Sequence, residues 1–246
     1  MKNEVQIHEP KTSLCRNRRD FLKLSGLALA GTGLLLTGCN DDDEDNNNNN
    51  DSQLPGMRNG VFDFGGGDFG ILTYAYALEQ LEAAFATQVV TNAGFTTAFT
   101  STEEQQMMMD IYSHEVIHRE FFRNLLTDLL PNPETQLLPN LTFNFGNVNF
   151  ANRASVLATA AMLEDTGIAA YNGAGRYLND PDNLVMAGKI VSVEGRHAAA
   201  IRSMLSPDTD DFAPTPLDPA RPPSQIISEI NTLNLIQTDF TATYLP

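Results

Sequence analysis

From Asp68 onward, apolar residues recur three and four positions apart, and this spacing predicts four long helices. The first starts at Asp68, a capping residue, and runs through Leu72, Tyr76, Leu78, Leu81 and Phe85 to about Val90, with Gly94 beyond it as a stop. The second opens at Thr100 or Ser101, each of which heads a capping box with Glu103 or Glu104, and ends at Leu130 before Pro131. The third spans Arg153 to Tyr171 and is stopped by Gly173; the fourth spans Asn183 to Leu205 and is stopped by Ser206-Pro207. At 1.5 Å per residue each is roughly 30 to 45 Å long, the scale of a four-helix bundle. Neither βαβ alternation nor a glycine-rich phosphate loop is visible, so the fold class is all-α.

The link between the second and third helices, Pro131 to Asn152, is long enough to be the crossover that joins two helical hairpins. Within it, Leu141-Thr142-Phe143-Asn144-Phe145 alternates like a short strand. After Pro207 the chain is rich in proline, and Ile226, Ile227, Ile230 and Leu233 then predict one short C-terminal helix against the bundle. The bundle therefore covers residues 68–205 and the proline-rich tail with its helix covers 206–246.

The first 67 residues have a different pattern. Residues 1–39 combine Arg18-Arg19, an apolar stretch from Leu24 to Leu36, and Leu36-Thr37-Gly38-Cys39, and so resemble a twin-arginine export signal fused to a lipoprotein box. The apolar run is too short for a bilayer-spanning helix of about 20 residues. The reading is a cleaved signal peptide, lipidation at Cys39, attachment to a membrane of the bacterial cell envelope and exposure to the periplasm, with cell-surface display as the alternative. Residues 40–67 open with Asn40 to Asp45 and five asparagines, a composition that buries no apolar surface and predicts a disordered tether.

Charge and cysteines narrow the chemistry. The net charge is −16, and the leader holds six basic and three acidic residues, so the rest of the chain is more acidic still. Such a surface repels phosphate backbones, which excludes nucleic acid as an expected partner. The two cysteines, Cys15 and Cys39, both lie in the leader. A metal in the bundle must therefore be held by oxygen and nitrogen.

Glu115-Val116-Ile117-His118 and Glu194-Gly195-Arg196-His197 each place a glutamate and a histidine three apart, on one helix face where both can grip one metal. Both pairs sit within apolar seams: Ile111, Glu115, His118, Phe122, Leu125 and Ile190, Glu194, His197, Ile201, Met204. A carboxylate placed in such a seam is costly without a cation. The two halves also align with each other. Glu115 on Glu194 puts His118 on His197 and Arg123 on Arg202, and Leu78-Glu79 falls on Leu163-Glu164, as in a duplicated hairpin. Six candidate ligands result: Glu79, Glu115, His118, Glu164, Glu194 and His197. Glu82 shares a helix face with Glu79 and is the alternative to it.

Phe69 to Phe85, His114 to His118, Leu163-Glu164-Asp165 and Val193 to Ala199 together resemble the ferritin-like family that includes plant desiccation-related proteins and exported bacterial proteins. The resemblance covers about Asp68 to Leu205. It implies a ferritin-like bundle with a dinuclear centre of two iron ions, manganese or zinc being alternatives. Glu115 and Glu194 would bridge the metals, Glu79 and Glu164 would be terminal, and each histidine would bind one metal. The implied activity is oxidation of ferrous iron or reduction of peroxide or dioxygen, of ferroxidase or peroxidase type; a homodimer is an open option. In related bundles an aromatic follows the first-helix glutamate by seven residues. Tyr171 does so for Glu164, whereas Ala86 stands seven after Glu79.

Two other classes compete. His114-Glu115-Val116-Ile117-His118 spells the zinc-protease helix, but Phe121 and Asn124 stand where the extended motif needs glycine and histidine. His114 itself reads as a surface histidine or as a support for a ligand. The second competitor is a metal-free protective or structural bundle, of the desiccation or stress-response kind, holding the six groups as a hydrogen-bonded network. Met107-Met108-Met109 faces three directions of a helix and reads as core filling and surface.

Overall fold

A computed structural model describes residues 53–246; the leader, Cys39 and tether residues 40–52 lie outside the described residues. A hairpin of β1 (Gly56–Arg58) and β2 (Val61–Asp63) comes first. Four long helices follow: α1 (Gly67–Thr91), α3 (Thr102–Leu129), α5 (Arg153–Ala174) and α6 (Pro181–Leu205). One-turn helices α2 (Phe95–Ala98) and α4 (Pro133–Gln136) lie in the connections, and α7 (Pro223–Leu233) and β3 (Phe240–Thr241) belong to the tail.

α1 packs along α3 and α5 along α6, and the two hairpins meet mainly through α1 and α5. The sequence of α1 suits this central place. It is apolar almost all round and is buried from Gly70 through Ala83 without a break, as a helix enclosed by neighbours must be. α3 and α6 are amphipathic instead. α3 buries Met108, Ile111, Glu115, His118, Phe122 and Leu126, and α6 buries Ile190, Glu194, His197, Ala198, Ile201 and Met204. In both outer helices the ionisable pair lies in the middle of the buried stripe.

The helix ends follow local chemistry. Ser101 caps α3 by accepting from the Glu104 amide, Asn152 caps α5 through the Ser155 amide, and Asp180 caps α6 through the Asp182 amide. Asp68 is not the cap of α1, which starts at Gly67 after Gly66. Its carboxylate instead accepts from the Asn179 and Asp180 amides and the Asn183 side chain, pinning the start of α1 to the turn before α6.

Two expectations change in the structure. The stretch read as a 40–67 tether is ordered in its last part, because Asn59 (φ 52°) and Gly60 (φ 84°) form a two-residue turn that pairs Arg58 with Val61. Asn-Gly is the preferred sequence for a turn needing positive φ at both positions. The hairpin buries Phe62 and Phe64, and β3 adds to β2 in parallel, so the two ends of the described chain share one sheet. The strand expected at Leu141–Phe145 is a single antiparallel bridge, Phe143 to Ile236. That segment is held instead by Gln80, whose side chain accepts from the Leu141 amide and donates to the Pro139 carbonyl.

The tail crosses α5, where the Arg221 amide donates to the Ala169 carbonyl. Gly173 permits this approach: a Cβ there would lie 1.8 Å from the Arg221 carbonyl oxygen. α7 then buries Ile226 and Ile230 against the bundle.

Candidate metal centre

The four long helices bring all six candidate ligands to one place in the interior. Glu79 and Glu194 are 0% exposed and Glu115 is 1% exposed, and Glu164, His118 and His197 are also buried. Two sets of four converge, each with its ligand atoms within 4.8 Å of one another: Glu79, Glu115, His118 and Glu194, and Glu115, Glu164, Glu194 and His197. Glu115 and Glu194 belong to both. Glu82 belongs to neither, although it is buried beside them.

The sharing is atomic. The His118 Nδ1 lies 2.8 Å from Glu194 Oε1, 3.6 Å from Glu79 Oε2 and 3.9 Å from Glu115 Oε2. The His197 Nδ1 lies 2.8 Å from Glu115 Oε1, 3.2 Å from Glu194 Oε2 and 3.5 Å from Glu164 Oε2. Each of the two shared glutamates therefore turns one oxygen to each histidine. This follows from the helical spacing: residues i and i+3 on α3 and on α6 face inward on one stripe, and the two stripes face each other.

Several of these atoms lack a hydrogen bond. Glu79 Oε2, both Glu115 oxygens, Glu164 Oε2, Glu194 Oε1 and His118 Nδ1 are buried and unpartnered. His118 and Glu194 are close at 2.8 Å but misaligned for a hydrogen bond, so proximity does not satisfy them. A buried unsatisfied polar group costs about 1–3 kcal/mol, more when charged. The residues present fit a metal pair: four carboxylates supply four negative charges, two neutral imidazoles supply nitrogen, and two divalent cations balance the set.

Protonation without a cation shows the strain on the cluster. Burial pushes the Glu79 carboxyl up to about 8, against the opposing contact of His118. Burial, with the surrounding glutamates, pushes Glu82 and Glu164 well above the usual range. Glu115 is raised by burial and by the Glu194 charge. Burial also opposes ionisation of Glu194, but His118 and His197 outweigh it and hold this carboxyl at about 2. The same contacts overcome the burial of the imidazoles: Glu194 and Glu79 lift His118 to about 10, and Glu115, Glu164 and Glu194 lift His197 to about 12.

The surroundings of the six differ between the halves. Tyr171 donates from its hydroxyl to Glu79 Oε1, reaching from α5 to α1. Glu82 turns its Oε1 toward Gly167, where an added Cβ would lie 2.5 Å from that oxygen. His114 is exposed, and its Nδ1 lies 2.9 Å from His197 Nε2, with the two ring planes within 13° of each other. Among the described residues neither converging set contains His114, and its Nδ1 is turned to His197. Gly167 escaped the reading of the sequence. The duplication held the signal for it, because Gly167 is the register partner of Glu82.

The chain was compared with known proteins. No curated protein matches it. A family model described as a ferritin-like domain matches residues 67–207, which span α1 through the end of α6 and contain all six converging side chains. With more than half of its length covered by that match, the chain belongs to the ferritin-like domain family.

Proposed function

We propose that this chain is an exported, lipid-anchored protein whose buried cluster binds two iron ions and uses them to oxidise ferrous iron or to reduce peroxide or dioxygen. The observation that carries the metal reading is the division of Glu115 and Glu194, each turning one oxygen to either histidine while several enclosed ligand atoms stay unpartnered. Glu79 and His118 would hold one ion, Glu164 and His197 the other, and Glu115 and Glu194 would bridge them. Bound there, metal ions would supply Lewis acidity and, for iron, electrons to a small oxidant.

The chain's own residues do the rest. Glu194, ionised down to low pH, presents a charged bridging group before any metal arrives. Tyr171 fixes one oxygen of Glu79 and leaves the other facing His118. The apolar residues flanking each stripe, Ile111 and Phe122 on α3 and Ile190 and Ile201 on α6, keep bulk water from the cluster. The export reading rests on Arg18-Arg19 and on Leu36-Thr37-Gly38-Cys39. Among the described residues no helix is long and apolar enough to cross a membrane. A lipid at Cys39 would then supply the membrane attachment.

A metal-free bundle is the second reading, and one contact favours it: His197 Nδ1 and Glu194 Oε2, 3.2 Å apart, can satisfy each other as a hydrogen-bonded pair. Elemental analysis of the full chain, refolded with iron, manganese and zinc available, separates the readings. Close to two iron ions per chain, absent from the Glu115→Ala/Glu194→Ala variant, supports the di-iron protein. Equal and negligible metal in both supports the metal-free bundle.

A further inference from the structure

The two halves of the cluster are related by the internal duplication, yet one histidine has a support that the other lacks. His197 turns Nδ1 to the glutamates and Nε2 to His114 Nδ1 at 2.9 Å. The register partner of His114 in the second half is Val193, whose side chain offers no polar atom to His118. His114 lies one residue before Glu115 on α3 and faces a residue of α6, so its bond ties the two outer helices together beside the cluster.

A histidine that binds a metal through one ring nitrogen carries its proton on the other, and the partner accepting that proton fixes the tautomer and the plane of the ring. With a cation on Nδ1, His197 must donate from Nε2. His114 Nδ1 is in place to accept, which sends the proton of His114 to its own Nε2, on an exposed side chain. The two ring planes lie within 13° of each other with centroids 5.2 Å apart, so the Nε2 and Nδ1 atoms meet edge to edge, as an in-plane N–H···N bond requires.

We infer that His114 is a positioning residue that makes the two metal positions unequal: the position held by Glu164 and His197 binds its ion more tightly and fills first. The inference rests on the dinuclear reading above. It concerns which position is preferred and by what residue, and His114 itself touches no metal.

Cobalt(II) titration of the full chain, followed by visible absorption and calorimetry, tests this. The parent protein should take up two ions in two resolved steps. His114→Leu should weaken the tighter step by roughly 10- to 100-fold, the usual cost of losing such a supporting partner, so that the steps merge. His114→Asn, which keeps an acceptor near the position of Nδ1, should restore most of the separation. Because the side chain is exposed, thermal unfolding of the three metal-free proteins should shift far less than the metal affinity does, which separates ligand positioning from general stability. Two steps of unchanged affinity in His114→Leu overturn the inference and leave the dinuclear reading standing. No uptake by the parent protein overturns both.

Discussion

The two hairpins, α1 with α3 and α5 with α6, carry the same glutamate, glutamate and histidine at matched positions but differ at the residues around them. Glu82 is matched by Gly167, Ala86 by Tyr171, Gln88 by Gly173 and His114 by Val193. Each difference has a spatial reason. Glu82 needs the room that Gly167 leaves, and Tyr171 reaches across to Glu79. Gly173 lets the tail cross α5, whereas Gln88 on α1 is exposed and meets no such strap. His114 supports His197 alone. The ligand pattern is the part that both halves keep, and the asymmetry lies in how each ligand is held.

The largest expected effects break what the halves share. Glu115→Ala or Glu194→Ala alone should empty both metal positions, because each carboxylate serves both sets. His118→Ala or His197→Ala should each cost one ion of two. Metal analysis of the four variants checks this, and two ions retained in either glutamate variant would show that the bridge is misassigned.

Next comes the crossing of the tail. Gly173→Ala places a methyl group 1.8 Å from a backbone carbonyl, and backbone yields less readily than a side chain tip. Overpacking of this kind costs about 1–3 kcal/mol, and here it should also loosen α7. Gln88→Ala, at the matched but open position, should change stability by less than about 0.5 kcal/mol. Chemical denaturation together with proteolysis after Arg221 measures both, and equal effects would contradict the assigned reason for the glycine.

Gly167→Ala is subtler because its neighbour is the end of a side chain. The new methyl, 2.5 Å from Glu82 Oε1, forces that carboxyl to move, while loss of glycine from a helix gains about 1 kcal/mol. The substitution should lower the Tm of the parent protein and raise it in a Glu82→Ala background. The same sign in both backgrounds would remove Glu82 from the explanation.

The last effect is the pH slope of the metal-free protein. Glu79 holds its proton up to about 8, above the 4.5 of a free carboxyl, so the folded state binds more protons than the unfolded state across that window. Stability should therefore fall as pH rises from 4.5 to 8. The raised values of His118 and His197 extend the decline toward about 10 and 12, since their contribution is complete below 6.5 and is lost only as the folded groups deprotonate. Bound metal needs deprotonated ligands, so uptake should release protons and reverse the slope. Urea midpoints across this range, with and without metal, test the sign.

Much of this was legible in the residues. The four helices follow from apolar spacing, Glu115, His118, Glu194 and His197 from the Glu-x-x-His pairs, and Glu79 and Glu164 from the duplication, because a bundle converts position on a helix face directly into depth. Other features depend on contacts between distant segments, where local pattern says little. Asp68 looks like a cap by type but serves the turn before α6, 111 residues away. The last part of the tether resembles linker by composition, yet Asn59-Gly60 and the buried Phe62 and Phe64 make it a hairpin that pairs with the far end of the chain. Leu141–Phe145 has the alternation of a strand but makes a single bridge, Phe143 to Ile236, and no longer ladder.

On the proposed reading, one cluster holds two ions through two shared glutamates. Anomalous diffraction at the iron edge, from crystals of the full chain loaded with iron, tests it most directly. Two peaks about 3.5–4 Å apart are expected, one beside Glu79 and His118 and the other beside Glu164 and His197, with Glu115 and Glu194 between them. A single peak, or peaks only at surface carboxylates with the six buried side chains still paired to one another, would contradict it.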